Sequence, residues 1–254
     1  MVMPDDIPQK LDRYLRDLHL PTVREDYPDL VRRAQQESWS YEEFLLQLAQ
    51  RECEVRLQNR TERWLRQSAI LLEKDLTSFD FKRIPVKATQ QIKALLDGSF
   101  TDRNENVLAF GTPGGGKTHA LCAIGQELIR QGRKVYFSTC ELMVQRLLIA
   151  KRDLNLERFI KRLSRFEALI IDDLGYVQQK REEMEVLFTL LAERYERGSV
   201  MISSNLAFSK WEAIFKDPMT TAAAIDRLVH HSVILELNVP SYRAEQARKR
   251  KKAG

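Results

Sequence analysis

The chain is poor in the residues on which several protein classes depend. Only three cysteines, Cys53, Cys122 and Cys140, occur in 254 residues, with no Cys-x-x-Cys pair. An odd, scattered set excludes a disulfide framework and a thiolate zinc site, so the three are expected as small buried apolar residues in a reducing cytoplasm. Ten glycines and eight prolines are too few for collagen-like, low-complexity or many-turned all-β architecture. No uncharged apolar run approaches the roughly 18 residues of a membrane span, so no membrane partner is expected. Residues 1–10 are acidic and proline-containing, which is not the pattern of a secretory signal. Of four histidines, none, His119, His230 and His231 included, has a carboxylate or cysteine at ligand spacing, which leaves no histidine-based metal site to expect.

The body also lacks net charge. The formal +5 equals the contribution of Arg248, Lys249, Arg250, Lys251 and Lys252, so the excess belongs to a tail over 248–254. A nucleic-acid partner is compatible with this distribution but is not established by it.

What is present suits a folded, two-part chain. Apolar residues make up 43% of the sequence, with 3 Trp, 7 Tyr and 11 Phe available for a core. Residues 1–75 read as a small helical domain. Leu11, Leu15 and Leu18 recur at helical spacing up to Pro21, and a helix is expected over 29–36. Ser40 and Glu43 form a Ser-x-x-Glu capping box ahead of Phe44, Leu45, Leu48 and Ala49, which opens a longer helix. This part holds 12 basic and 15 acidic residues, a balance that disfavours it as the main DNA-binding surface. Residues 76–84 look like a linker, with a helix following over 86–96. From there to 247, strand-like runs at 107–110, 135–138, 168–171, 200–203 and 233–237 alternate with helical segments, the pattern of an α/β fold with a parallel five-stranded sheet.

The strongest local signal is Gly111-Thr112-Pro113-Gly114-Gly115-Gly116-Lys117-Thr118, a G-x-x-x-x-G-K-[ST] phosphate loop with a strand before it and a helix after it. Its glycines let backbone N–H groups turn toward phosphate, and the helix N-terminus adds a positive dipole end. Lys117 would reach the β- and γ-phosphates of ATP, and Thr118 would ligate Mg2+. A second signal is the apolar run 168–171 ending in Asp172-Asp173. Adjacent acids after a strand also serve as turns or caps. Paired with a phosphate loop, Asp172 would hold the metal through water and Asp173 would polarise the attacking water. Asn205, after the strand at 200–203, is either a turn residue or the group that orients that water. Residues 140–165 carry seven basic side chains against Glu141, Asp153 and Glu157. This is either a solvated face or a phosphate-backbone contact, with Lys151, Arg152, Lys161 and Arg162 as candidates.

These pieces together resemble the IstB-type ATPases, transposition helpers of bacterial insertion sequences related to the helicase loader DnaC within the AAA+ class. The resemblance rests on the loop with its trailing His119, on Asp172-Asp173-Leu174-Gly175-Tyr176, and on Ser204-Asn205-Leu206 with Phe208 and Trp211. It continues through Asp226-Arg227-Leu228 and Ser241-Tyr242-Arg243, and reaches back to Leu18, Pro21 and Ser40-Tyr41-Glu42-Glu43-Phe44-Leu45. It implies an AAA+ P-loop core with a small all-α N-terminal domain and little or no C-terminal lid. It further implies an ATP-dependent homo-oligomer on double-stranded DNA that bends its target, recruits a cognate transposase and hydrolyses ATP in response. Arg227 would then be the arginine finger acting on a neighbouring subunit's ATP, and Arg243 a second phosphate-sensing arginine beside His119 in the nucleotide site. The shorter acid at Asp173, where many AAA+ proteins carry Glu, would suit slow turnover. A DnaC-like loader of a replicative helicase is the alternative, distinguished by the N-terminal match to the transposon branch. A small-molecule P-loop kinase lacks a visible acceptor site.

Overall fold

The computed structural model describes residues 7–175, 181–206, 211, 226, 228–242 and 245. The chain divides into two compact units, Met1–Arg63 and Trp64–Gly254. The division falls earlier than the expected break at 75, because Trp64, Leu65, Ile70 and Leu71 pack into the core of the second unit.

The first unit contains α1 (Ile7–Asp17), α2 (Pro21–Glu37) and the larger part of α3 (Tyr41–Gln67). Pro21 does more than close α1: it opens α2, where its missing N–H and fixed φ suit the first helical turn. The helix expected over 29–36 therefore starts eight residues earlier and runs through Pro28. The capping box forms as expected, with Glu43 N donating to Ser40 Oγ at 3.2 Å and Ser40 N to Glu43 Oε2 at 2.7 Å. Glu52 of α3 is buried and accepts from the Val23 backbone N–H at 3.0 Å, satisfying an orphan donor in the first turn of α2. Burial opposes its ionisation, but the hydrogen bonds from Arg56 and Val23 outweigh it and hold the carboxyl below its usual range.

The second unit is an α/β domain. Its five strands are β1 (Asn106–Phe110), β2 (Val135–Thr139), β3 (Ala168–Leu174), β4 (Ser199–Ser204) and β5 (Ser232–Glu236), all parallel in the order β2-β3-β4-β1-β5. Every residue of β1 and β4 is buried, as expected of central parallel strands covered on both faces. One face carries α4 (Val86–Leu95) and α6 (Lys117–Arg130), whose Ile92, Leu121, Ile124 and Leu128 meet Val107, Ile170 and Met201. The other carries α7 (Cys140–Arg152), α8 (Leu156–Leu163) and α9 (Arg181–Arg194), which contribute Met143, Leu147, Leu163 and Leu190 against Leu108, Ile171 and Ile202. A short helix, α5 (Ser99–Asp102), leads into β1. Arg194 is 2% exposed and reaches no carboxylate among the described residues; it donates to the carbonyls of Leu163, Phe166, Glu167 and Ser199, tying the end of α8 to the starts of β3 and β4.

Two expectations are corrected here. Residues 76–84 are not a free linker: Phe79 and Ile84 are buried in the core, Phe81–Arg83 form a 3-10 turn, and Asp80 caps it. Just before them, Ser68 O accepts from Phe137 N at 2.7 Å, so the chain also covers the edge of β2. Cys122 and Cys140 are buried as expected, whereas Cys53 is exposed, lying on a helix of the first unit where few side chains are enclosed. Among the described residues no helix is long and apolar enough to cross a membrane, and no cluster of three His, Cys, Asp or Glu could hold a metal.

Candidate nucleotide site

The site lies at the carboxyl edge of the sheet, where open α/β folds bind their ligands. Between β1 and α6 the chain turns through 111–116, and the loop's glycines answer a spatial demand. A Cβ on Gly115 would stand 2.5 Å from the Leu237 carbonyl oxygen, and one on Gly111 would fall on the same backbone group. The loop is thus pressed against the segment that follows β5. Leu237 N donates to Phe110 O at 2.7 Å, Thr112 Oγ1 to Val239 O at 2.5 Å, and Tyr242 N to Gly114 O at 3.2 Å. Gly116, at φ 94°, is the N-cap of α6 and leaves the helix N-terminus open for an anion.

Lys117 is 5% exposed. Its Nζ donates to Gly111 O and Thr112 O, both at 2.9 Å, and to Asn205 Oδ1 at 2.6 Å. The buried ammonium is thereby aimed across the loop, with Asn205 at the end of β4 sharing it. Thr118 Oγ1 donates to Asp172 Oδ1 at 2.8 Å. Asp172 is buried and Asp173 is exposed, a division made by a bulge. The β3–β4 register runs Ile171 to Ile202 and then Leu174 to Ser204, so the two aspartates oppose the single residue Ser203. Asp173 takes φ 60°, a left-handed conformation that aspartate tolerates better than most residues. Ser203 holds the bulge from the facing strand. Its Oγ donates to Asp172 Oδ1 at 2.5 Å and accepts from Asp173 N at 2.9 Å. Sequence reading passed over Ser203, because its role depends on which residues face it across two strands.

A cavity of about 680 Å³ gathers Pro113, Gly114, Gly115, Gly116, Lys117, Thr118, His119, Asp172, Asp173 and Asn205, within the size range of small-molecule sites. Gly111 and Thr112 sit behind it as the loop's anchors. The opposite wall comes largely from the stretch expected to be a linker, with Glu73 and Lys74 from the expected helical part just before it. Glu73, Lys74, Ser78, Phe79, Asp80, Arg83 and Ile84 line it, joined by Val239 and Tyr242. His119 faces this wall: Nε2 lies 2.8 Å from Asp75 O and 3.2 Å from Ser78 Oγ, and the ring meets Phe79 edge-on at 5.0 Å. Ser78 and Thr77 donate to Asp75, Ser78 through both side chain and backbone, and hold its carboxyl down to about 2. Arg83 pairs with Glu245 at 2.7 and 2.9 Å and lies 5.1 Å over the Tyr242 ring. Lys151, Arg152, Lys161 and Arg162 stand apart from the cavity on α7, α8 and their junction, all exposed. Arg227, Arg243, Phe208, Tyr176 and the tail from Arg248 lie outside the described residues.

The donor set fits a nucleoside triphosphate with a hard divalent cation. Inward-facing loop backbone, a buried ammonium and a helix N-terminus suit a polyphosphate. One hydroxyl and one buried carboxylate suit a Mg2+ whose remaining ligands are phosphate and water.

Comparison with known proteins agrees with this reading. Residues 13–251 match the family described as IstB-like ATP binding protein. The chain is 42% identical over 96% of its length to an insertion sequence ATP-binding protein of Sinorhizobium fredii, covering 82% of that protein. It is 34% identical to the ATP-binding proteins of insertion sequence IS5376 of Geobacillus stearothermophilus and IS21 of Pseudomonas aeruginosa, over 94% of this chain and 96% and 91% of theirs. Among solved structures, AMPPCP-bound DnaA from Aquifex aeolicus superposes with a TM-score of 0.57 at 18% identity, covering 73% of this chain and 56% of that one. The DnaC helicase loader superposes with a TM-score of 0.55 at 17% identity, covering 66% and 98%. These likenesses place the fold among the AAA+ P-loop proteins. The chain belongs to the IstB-like ATP binding protein family, whose relatives here are ATP-binding proteins of bacterial insertion sequences.

Proposed function

We propose that this protein is an ATPase of DNA transposition, which assembles with ATP on duplex target DNA, deforms it and delivers it to a cognate transposase. The observation that carries the reading is the convergence of Lys117, Thr118, Asp172, Asp173 and Asn205 on one cavity behind a glycine loop, in a chain whose relatives are insertion-sequence ATP-binding proteins. In this reading Lys117 moves from the Gly111 and Thr112 carbonyls to the β- and γ-phosphates of ATP. Thr118 and Asp172 would hold Mg2+, which when bound would offset the charge developing on the phosphates. Asp173 takes a proton from water as that water attacks the γ-phosphorus, and the bond to the β-phosphate oxygen breaks to release ADP and phosphate. Asn205 orients the water, and His119 and Arg243 complete the nucleotide site. Arg227 acts in trans on the neighbouring subunit's nucleotide, which makes hydrolysis depend on a homo-oligomer. Lys151, Arg152, Lys161 and Arg162 meet the phosphate backbone, and the tail over 248–254 adds nonspecific attraction.

The helicase-loader alternative shares this fold; the insertion-sequence relatives favour transposition. The test is ATP turnover and fluorescence anisotropy of labelled duplex DNA with the purified chain. The expected result is turnover and ATP-dependent duplex binding in the wild type, with both lost in Lys117→Ala. A wild-type chain that binds ATP yet retains neither turnover nor ATP-dependent duplex binding overturns the proposal.

A further inference from the structure

The junction between α7 and α8 carries a feature that the chain's own folding does not use. Helix α7 ends in a two-bond cap: Asn155 N donates to Ala150 O at 2.8 Å, and Leu154 N donates to Lys151 O at 3.2 Å. This closure requires a left-handed residue at position 154, and Leu154 takes φ 54°. Glycine is the residue such a position favours, since a Cβ is penalised there. The side chain placed there against this preference is 93% exposed, the most exposed of the large apolar side chains among the described residues. It therefore contributes almost nothing to the core. Apolar exposure at a conformational cost, without compensating burial, marks a position selected for something outside the folded chain.

Its surroundings indicate what that is. Leu154 follows the basic last turn of α7 and precedes α8, whose first turn carries Glu157 and Arg158 and whose last turn carries Lys161 and Arg162. Lys151 and Arg152 precede it; Arg158, Lys161 and Arg162 follow on α8, and all five are exposed. Lys151 has Glu185 at 3.6 Å and Arg152 has Asp153 at 3.1 Å, both as solvent-facing ion pairs. Such pairs are worth little and exchange readily for phosphate. Among the described residues, Arg158, Lys161 and Arg162 have no carboxylate within ion-pair distance. An apolar tip at the end of a basic helix turn, with further cations on the next helix, suits proteins that hold a duplex backbone and press a side chain between base pairs.

We propose that Leu154 is a wedge that inserts between stacked base pairs of duplex DNA and kinks it, with the basic side chains of α7 and α8 gripping the flanking phosphates. This rests on the duplex-binding reading above and adds the means by which the DNA is deformed. Insertion should favour pyrimidine–purine steps, which unstack most easily, so a weak step preference would arise without hydrogen bonds to base edges.

The test uses the full-length protein with ATP and duplexes carrying 2-aminopurine at several steps, TA among them, with donor and acceptor dyes at the ends of a second set. For wild type, 2-aminopurine emission should rise several-fold on binding and the end-to-end distance should shorten. Leu154→Gly suits the left-handed backbone, so its fold is retained and its melting temperature should equal or exceed wild type. It should leave the affinity for duplex within about ten-fold and the salt dependence unchanged, while returning emission and end-to-end distance toward free-duplex values. Leu154→Phe should retain both signals. Wild type that binds duplex by anisotropy without unstacking, or Leu154→Gly that unstacks and bends as wild type does, overturns the wedge alone. Absence of duplex binding by wild type overturns the duplex-binding reading and the wedge with it. Loss of ATP-dependent oligomers by Leu154→Gly without DNA places Leu154 at a subunit contact and likewise overturns the wedge.

Discussion

Ser203→Ala is the perturbation that most directly probes how the site is built. The hydroxyl makes two contacts, donating to Asp172 Oδ1 at 2.5 Å and accepting from Asp173 N at 2.9 Å. The first is charge-assisted, a class worth about 1.5–3 kcal/mol, and loss of the second leaves an N–H without its acceptor at a cost of about 1–3 kcal/mol. The two share one atom, so they do not add, and a combined effect of about 2–3 kcal/mol is the working figure. If about 2 kcal/mol of this is felt when Asp172 and Asp173 act, ATP turnover falls roughly thirty-fold. Folding stability falls by a similar amount, which for a protein of this size lowers Tm by roughly 4–10 °C. Nucleotide affinity without magnesium should change little, because the Ser203 hydroxyl bonds Asp172 and Asp173 on the metal side of the site. The assay is steady-state phosphate release at saturating ATP across a magnesium series, with nucleotide titrations in chelator. Ser203→Thr keeps the hydroxyl and should recover most of the turnover. Turnover of Ser203→Ala within two-fold of wild type, with an unchanged magnesium dependence, would refute the assignment of Ser203 as the group that holds the aspartates in place.

Lys117→Ala removes a buried cation held by three oxygen acceptors and should weaken nucleotide binding by about 100-fold or more in a fluorescence titration. Asp173→Asn should keep nucleotide bound while cutting phosphate release by roughly 10²-fold, the scale of a lost general base; loss of binding instead would assign it to the metal. Arg194→Leu removes the donor shared by four carbonyls, of which those of Leu163 and Glu167 keep a backbone N–H, costing about 3 kcal/mol and lowering Tm by roughly 6–12 °C in calorimetry. Thiol labelling at pH 8 should modify Cys53 quickly and spare Cys122, whose thiol burial pushes up to about 12; equal labelling of both in the native protein would contradict the packing of α6.

The parts legible in the sequence are those whose cause is local. The phosphate loop shows because a strand, a glycine-rich turn and a Lys-Thr helix start are consecutive. The five strands show because burial on both faces makes each a short apolar run, and all five lie within a few residues of their expected places. The capping box shows because Ser40 and Glu43 are three residues apart. None of these depends on knowing what another segment does. Pro21 shows in the sequence only as a stop, because the same ring that ends one helix is equally suited to begin the next, and sequence pattern alone does not rank the two.

The parts that were not legible are made by distant partners. Residues 76–84 show no periodic apolar face and resemble a linker, and the residues just before them read as the end of the helical part. Their structure is imposed by α6. Gln126 is buried and its amide Nε2 lies 3.1–3.3 Å from the carbonyls of Leu71, Leu72 and Lys74, and His119 reaches Asp75 O at 2.8 Å. Both side chains project from one helix at i and i+7, a face that happens to follow the phosphate loop directly. The same long-range logic places Ser203 against the two aspartates, since the bulge has meaning only once β3 and β4 are paired. A consequence follows for how the site is organised. The loop side of the cavity is rigid backbone pressed against the Leu237 and Val239 carbonyls, while the facing wall is held to α6 by side-chain hydrogen bonds to backbone carbonyls. Each such bond contributes only about 0.5–1.5 kcal/mol net, so the wall is fixed chiefly where Phe79 and Ile84 are buried in the core. Opening the loop would break its hydrogen bonds to Val239 and Tyr242 in the segment that follows β5.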